Sequence, residues 1–210
     1  MLKTIAIITC IVTLAGCAFT PEKVPLNPTV NVQKQNVGHG KLVAVQVIDV
    51  RKSTSLGGRA SDYGPAANIS LSGDLNKAVK SSLNKILIAY GFKPVNNQSN
   101  SSCRLIVRII SLDYNQRAGF WVAGIRVNST IEAIAKNHSQ IFDKIYRTTN
   151  KHGTILTPTS QSDAKHINAA MSSTLSKFAQ DTKIFKFLAK EPTIRSLDAS
   201  QKSVLRKYHH

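Results

Sequence analysis

Hydrophobic residues along this chain recur with two periods, and the switches between them mark the elements. Residues 41–50 (KLVAVQVIDV) put Val43, Val45 and Val47 on one side of an extended chain, with Leu42, Ile48 and Val50 on the other. Apolar side chains on both sides predict a central, covered strand. Residues 71–90 change to helical spacing, with Leu75, Val79, Leu83, Ile86 and Tyr90 on one stripe. Ser72 or Asp74 suits the helix start, and Gly91 stands where a left-handed C-cap is expected. Period two then returns. In 104–114, Leu105, Val107 and Ile109 oppose Arg104, Ile106 and Arg108. In 121–136, Trp121, Ala123, Ile125 and Val127 oppose Arg126, Asn128, Thr130 and Glu132, so one side meets water. Residues 140–150 carry Ile141 and Ile145 against Phe142 and Tyr146, after a connection short enough for a hairpin. A helical stripe over 162–188 contains Ile167, Ala170, Met171, Leu175 and Phe178, and Thr182 restarts a short helix with Ile184, Phe185 and Leu188.

The order is β-α-β-β-β-α. Helices need a sheet face to cover, and the economical solution is an α+β fold. We expect a two-layer α/β sandwich: a four-stranded, mostly antiparallel sheet with two helices on one face. Its first two strands should be parallel, joined by a right-handed crossover through the first helix. Residues 52–69 and 96–102 read as polar loops.

The ends read differently. Residues 1–4 carry Lys3, residues 5–14 (IAIITCIVTL) form an uncharged apolar run, and Ala15-Gly16 are small. That is a signal peptide, 1–16, too short to span a bilayer as a helix. Leu14-Ala15-Gly16-Cys17 resembles the lipobox of bacterial lipoproteins. The resemblance implies cleavage before Cys17, a diacylglycerol on its sulfur and a further acyl chain of the palmitate kind on its amine. One such chain binds a membrane marginally, while two or three hold almost permanently. Ala18 follows, where an Asp in lipoproteins like those of enteric bacteria would retain the protein in the inner membrane. The expected address is therefore the periplasmic face of the outer membrane. Residues 17–40 hold Pro21, Pro25 and Pro28 and end in Gly38-His39-Gly40. They read as a lipid-anchored linker, about 75 Å long if its last 23 residues are fully extended, with a short edge strand where Val30 and Val32 alternate. Residues 41–190 form a single domain, and 191–210 a basic C-terminal tail.

Charge narrows the partners. The chain has 28 Lys and Arg against 11 Asp and Glu, a net +17. A surface of that sign attracts anionic lipid, acidic polymer or nucleic acid, and a periplasmic address removes nucleic acid. Of three cysteines, Cys10 leaves with the signal peptide and Cys17 is lipidated. Cys103 then has no partner for an internal disulfide and is expected buried.

Catalytic or metal-binding constellations are not visible. The six histidines lack ligand spacing, and the acids are scattered. No catalytic residue, metal ligand or cofactor is assigned, apart from the covalent lipid on Cys17. Two features stand above background. Asp49 and Arg51 share a face at the end of the first strand, either as an ion pair closing the loop or as a ligand-facing group with Arg59, Asp62 and Tyr63. Trp121 follows a glycine-containing turn, either as core packing or as an exposed interface anchor.

These pieces together resemble the YajG-like family of outer-membrane lipoproteins. The resemblance runs from Leu14 to Lys190 and is carried by the lipobox, the spacer Val24-Pro25-Leu26-Asn27-Pro28, Gly73-Asp74-Leu75 leading to Tyr90-Gly91-Phe92, and Gln180-Asp181-Thr182. It implies a fold and a place in the envelope, not an activity. The expected function is thus a non-enzymatic, lipid-anchored module. It would act as a protein-binding or structural subunit of a larger envelope assembly, such as a secretion complex. The alternative is a binder of anionic envelope polymer or lipopolysaccharide.

Overall fold

The computed structural model describes residues 20–59, 67–96, 101, 103–117, 123–154 and 159–191. The long alternating segments form its centre: β6 (Cys103–Arg117), β7 (Ala123–Asn137) and β8 (Gln140–Thr154) make an antiparallel meander of 15-residue strands. His138, left-handed at φ 53°, makes the two-residue turn from β7 to β8. The first expected strand is β2 (Leu42–Asp49), and it pairs parallel with β6 as anticipated.

The sheet is larger than the four strands expected. Eight are present among the described residues, because four short ones join: β1 (Glu22–Val24), β3 (Ser55–Arg59), β4 (Ala67–Leu71) and β5 (Lys93–Val95). β5 pairs with the start of β2, while β3 pairs with the end of β6, so β2 and β3 sit end to end along one edge of β6. β4 and then β1 extend the sheet outward from β3. The loop expected over 52–69 therefore contains strand. Its sequence, Ser-Leu-Gly-Gly-Arg, hides this because one glycine answers to backbone contact rather than side-chain period. A Cβ on Gly57 would lie 2.1 Å from the Tyr114 carbonyl oxygen, and its φ is +117°. Only glycine fits so close an approach at that dihedral.

A bulge in β6 resets the pattern. Ile109 faces Ile131 and Ser111 faces Thr130, leaving Ile110 unpaired. Before it the odd residues Leu105, Val107 and Ile109 are buried; after it the even residues Leu112, Tyr114 and Gln116 are. β7 keeps its odd residues from Ile125 to Asn137 inside. This buried side meets three helices: α1 (Leu75–Ala89) against β2 and β5, α2 (Ser160–Gln180) against β7 and β8, and α3 (Thr182–Ala189) against β7. The expected stripes lie inside, including Val79, Leu83, Ile167, Met171, Phe178, Ile184 and Leu188 at 0% exposure.

Helix ends follow their sequence signals. The Asp74 carboxylate accepts from the Lys77 N–H and caps α1. Gly91, at φ +82°, ends it with the Phe92 N–H bonded to the Leu87 carbonyl and the Gly91 N–H to the Ile88 carbonyl. Tyr90 stacks on Phe185 and donates its hydroxyl to the Ala179 carbonyl at 2.6 Å. Two patches far apart in sequence, Tyr90-Gly91-Phe92 and Gln180-Asp181-Thr182, thus meet at the junction of α1, α2 and α3.

Asp181 fixes that junction. It caps α3 through the Lys183 N–H and binds Lys144 Nζ at 2.5 Å and the Tyr146 hydroxyl at 3.0 Å. Burial alone would raise its pKa, but these three donors more than offset that and hold the carboxyl below its ordinary value. A carboxyl lowered by folding stabilises above its unfolded pKa, and that contribution is lost as pH falls through the folded one. We expect Asp181→Asn to flatten the fall in stability below about pH 4, measured by urea unfolding across pH; an unchanged slope would contradict this role.

The N-terminal segment differs most from expectation. From Glu22 onward it is packed strap, not linker. Val24 and Leu26 are buried with Pro28 in an every-second-residue pattern, and Val30 and Val32 pack against the core. The short strand here is β1, not the Val30–Val32 stretch. Prolines deny the strap a continuous ladder, so helix side chains bind it instead. The Asn27 N–H donates to Asn168 Oδ1, the Thr29 N–H to Ser172 Oγ, and Ser82 Oγ to the Pro28 carbonyl.

Candidate functional site

Asp49 and Arg51 form a fork. Arg51 Nε donates to Asp49 Oδ1 and Nη2 to Oδ2, both at 2.9 Å, and the Arg51 N–H adds a third bond at 3.1 Å. Burial pushes the Asp49 carboxyl up, but the bonds and charge of Arg51 outweigh it, and the net direction is down. This is the ion pair that closes the loop. Arg59 does not join it: Asp49 is level with Ile109 of β6 and Arg59 with Gln116. Seven residues of strand separate those levels by about 23 Å. Asp62, Tyr63, Trp121 and Cys17 lie outside the described residues.

Arg59 instead sits in a buried cluster that spans the fold. Its Nε and Nη2 donate to Asp163 Oδ2 at 2.8 and 2.6 Å, and Nη2 also reaches Glu22 Oε2. Tyr114 donates its hydroxyl to Asp163 Oδ1 at 2.6 Å. Asp163 is 0% exposed and Arg59 4%. Burial, with the Asp163 carboxylate beside it, pushes the Tyr114 hydroxyl up. The cluster ties β1, β3, β6 and the first turn of α2 together. Sequence reasoning missed it, although one signal was present: Asp163 lies four residues before Ile167, a lone charge on the apolar stripe of α2. Cys103 is buried as expected, its Sγ within 3.2 Å of Asn137 Oδ1. Among the described residues no group of three or more His, Cys, Asp or Glu side chains could hold a metal.

Two surface features remain. The outward side of β6, β7 and β8 bears no helix among the described residues. On it Ile106 is level with Ile134, and Arg108 pairs with Glu132 at 2.8 Å. Ile141 (61% exposed), Ile145 (51%) and Ile110 (38%) stand on that side too. At the far end of the same strands Asn115, Arg126 and Lys151 share one row, with Arg117 beside them, and they rim a concavity. All three cations are exposed.

Comparison with known proteins bears on the class. No curated protein matches the chain. Among solved structures, protein XCC0632 from Xanthomonas campestris superimposes with a TM-score of 0.52 at 12% identity, covering 86% of this chain and 98% of that one. This shows a shared fold. A neuraminyllactose-binding hemagglutinin homologue from Helicobacter pylori (TM-score 0.40, 11% identity, 77% and 96% covered) and a minor lipoprotein from Acinetobacter baumannii (0.37, 8%, 71% and 90%) are more distant. No helix among the described residues is long and apolar enough to cross a membrane, while a lipoprotein-family membership suggests a membrane-anchored place in the cell envelope. A family model described as uncharacterized lipoprotein matches residues 28–189, and the chain belongs to that lipoprotein family.

Proposed function

We propose that this lipoprotein is a non-enzymatic subunit of a larger envelope assembly, anchored through lipid on Cys17 at the periplasmic face of the outer membrane. It docks a protein partner on the open side of β6, β7 and β8. The observation that carries the reading is the isoleucines left exposed there, Ile141, Ile145 and Ile110, with half-buried Ile106 and Ile134 level with Asp143 between them, in rows shared with Arg104, Lys136 and the Arg108–Glu132 pair. Isoleucines left exposed among charged side chains, on a sheet face that no described helix covers, suit a mixed apolar and polar protein interface. The acids also favour a structural body over a catalytic one: Asp49, Asp163, Glu22, Glu132 and Asp181 are each held in an ion pair.

A photo-crosslinking side chain at position 145, introduced in the native membrane, should give one discrete protein adduct. Placing a charge at Ile141 should cut that adduct about tenfold, since an unpaired charge buried at an interface costs more than 1.4 kcal/mol. Ile88 on α1 is equally exposed, at 61%, and lies apart from the patch. The same crosslinker at 88 should give none. Equal adducts from 145 and 88, or no effect of Ile141→Lys, would contradict the reading.

A further inference from the structure

The sheet register fixes the end of the sheet at which the described chain begins. Glu22 is level with Ile69, Ile69 with Gly57, Gly57 with Tyr114, Tyr114 with Val127 and Val127 with Asn150. β1 is parallel to β4, β4 antiparallel to β3, and β3 parallel to β6. β1 therefore runs against β6, and the chain before Glu22 leads toward the Arg117 end of the sheet. Only four residues lie between Cys17 and Glu22, five chain steps with a reach of at most about 17 Å. The basic row lies at that same end, one residue beyond the Glu22 level.

We propose that Arg117, Arg126 and Lys151 dock this end of the sheet onto anionic phospholipid headgroups, so that the molecule stands on the bilayer with the β7–β8 turn pointing away. The inference rests on the lipid anchor read at Cys17. A leash of this length keeps the cations within roughly two Debye lengths of the surface, close enough for contact. Exposed Lys23 on β1 adds a fourth charge at this end. Two of the acids nearest this end, Glu22 and Asp163, bind Arg59, while exposed Asp113, one outward position back from Asn115, leaves the row still net positive. Basic residues near an anionic membrane each contribute about fivefold, so three shift the docked ratio on the order of a hundredfold.

The test uses the lipid-anchored full chain in vesicles of phosphatidylcholine, with and without phosphatidylglycerol, and a headgroup quencher. A fluorophore goes on Asn115→Cys or on Ser139→Cys; both positions are exposed, and Cys103 is buried. Position 139, in the β7–β8 turn, is about 11 residues of strand away, some 36 Å. The label at 115 should be quenched only with phosphatidylglycerol present, and the label at 139 in neither case. Arg117→Glu, Arg126→Glu and Lys151→Glu together should abolish the quenching while the protein still floats with the vesicles. Quenching at 115 that ignores lipid charge or the triple substitution overturns the proposal. Flotation at high salt reads the anchor separately: a chain that is quenched at low salt and leaves the vesicles at high salt keeps the basic end and rejects the anchor.

Discussion

Replacing Asp163 with alanine should lower the unfolding free energy by about 3–5 kcal/mol, because it leaves a buried guanidinium without its principal counter-ion. Arg59 is 4% exposed and donates two bonds to one Asp163 oxygen, while Tyr114 donates to the other. Glu22 alone, from a three-residue strand, cannot hold the charge in place of a fully buried carboxylate. The loss should also reach β1, since Glu22 is bound to the same guanidinium. Urea unfolding of the variant reads the first effect, and proteolysis within the strap reads the second. Removing the charges together, as Arg59→Met with Asp163→Leu, should cost clearly less than Asp163→Ala, because no uncompensated ion remains. If Asp163→Ala changes stability by under about 1 kcal/mol, as a surface pair would, the cluster does not organise the fold.

Deleting residues 18–40 should have the second large effect. As a spacer the segment would be dispensable. In the structure it fills the seam between α1 and α2, and Val24 (0% exposed) and Leu26 (7%) belong to the main core. Truncating either side chain to alanine should cost about 2–4 kcal/mol. Loss of the whole strap also uncovers Ser82, Asn168 and Ser172, whose bonds it accepts or donates. We expect a chain joined directly from Cys17 to Lys41 to lose cooperative unfolding and to bind hydrophobic dye. A shortened chain that unfolds at the same urea concentration as the parent would return these residues to the role of tether.

Long elements were legible in the sequence because one force dominates each of them. The stripe from Leu75 to Ile86, the alternation from Leu105 to Ile109 and the pattern from Ile125 to Val127 all record burial against a helix or sheet face. Short strands were not, and for separate reasons. β3 is dictated by backbone approach at Gly57, which leaves no hydrophobic signature. β5 is three residues with Pro94 in the middle, and its pairing is set by where α1 ends. β1 and the strap do carry an alternation, Val24, Leu26, Pro28, Val30 and Val32, yet the prolines beside it read as a linker. The bulge at Ile110 moves the inward positions from odd to even, which no period fitted over the whole strand reveals.

The candidate site was less legible than the fold. Asp49 and Arg51 were correctly placed on one face because that needs only a two-residue period. Bringing Arg59 to Asp163 requires knowing that β3 follows β2 along β6, and that depends on the glycine strand. The open isoleucine face was partly visible, since Ile141 and Ile145 fall opposite Phe142 and Tyr146. Their exposure depends on how the helices divide the sheet, and α2 and α3 pack only on the side of Phe142, Tyr146 and the odd residues of β7.

The anchor proposed at Cys17 would decide how all of these surfaces are presented, and intact mass analysis of the N-terminal peptide from native membranes tests it most directly. The mature protein should yield tryptic peptide 17–23 with a diacylglyceryl group on the Cys17 sulfur and an acyl chain on its amine. An unmodified Cys17, or a mature chain that still begins at Met1, would contradict the account.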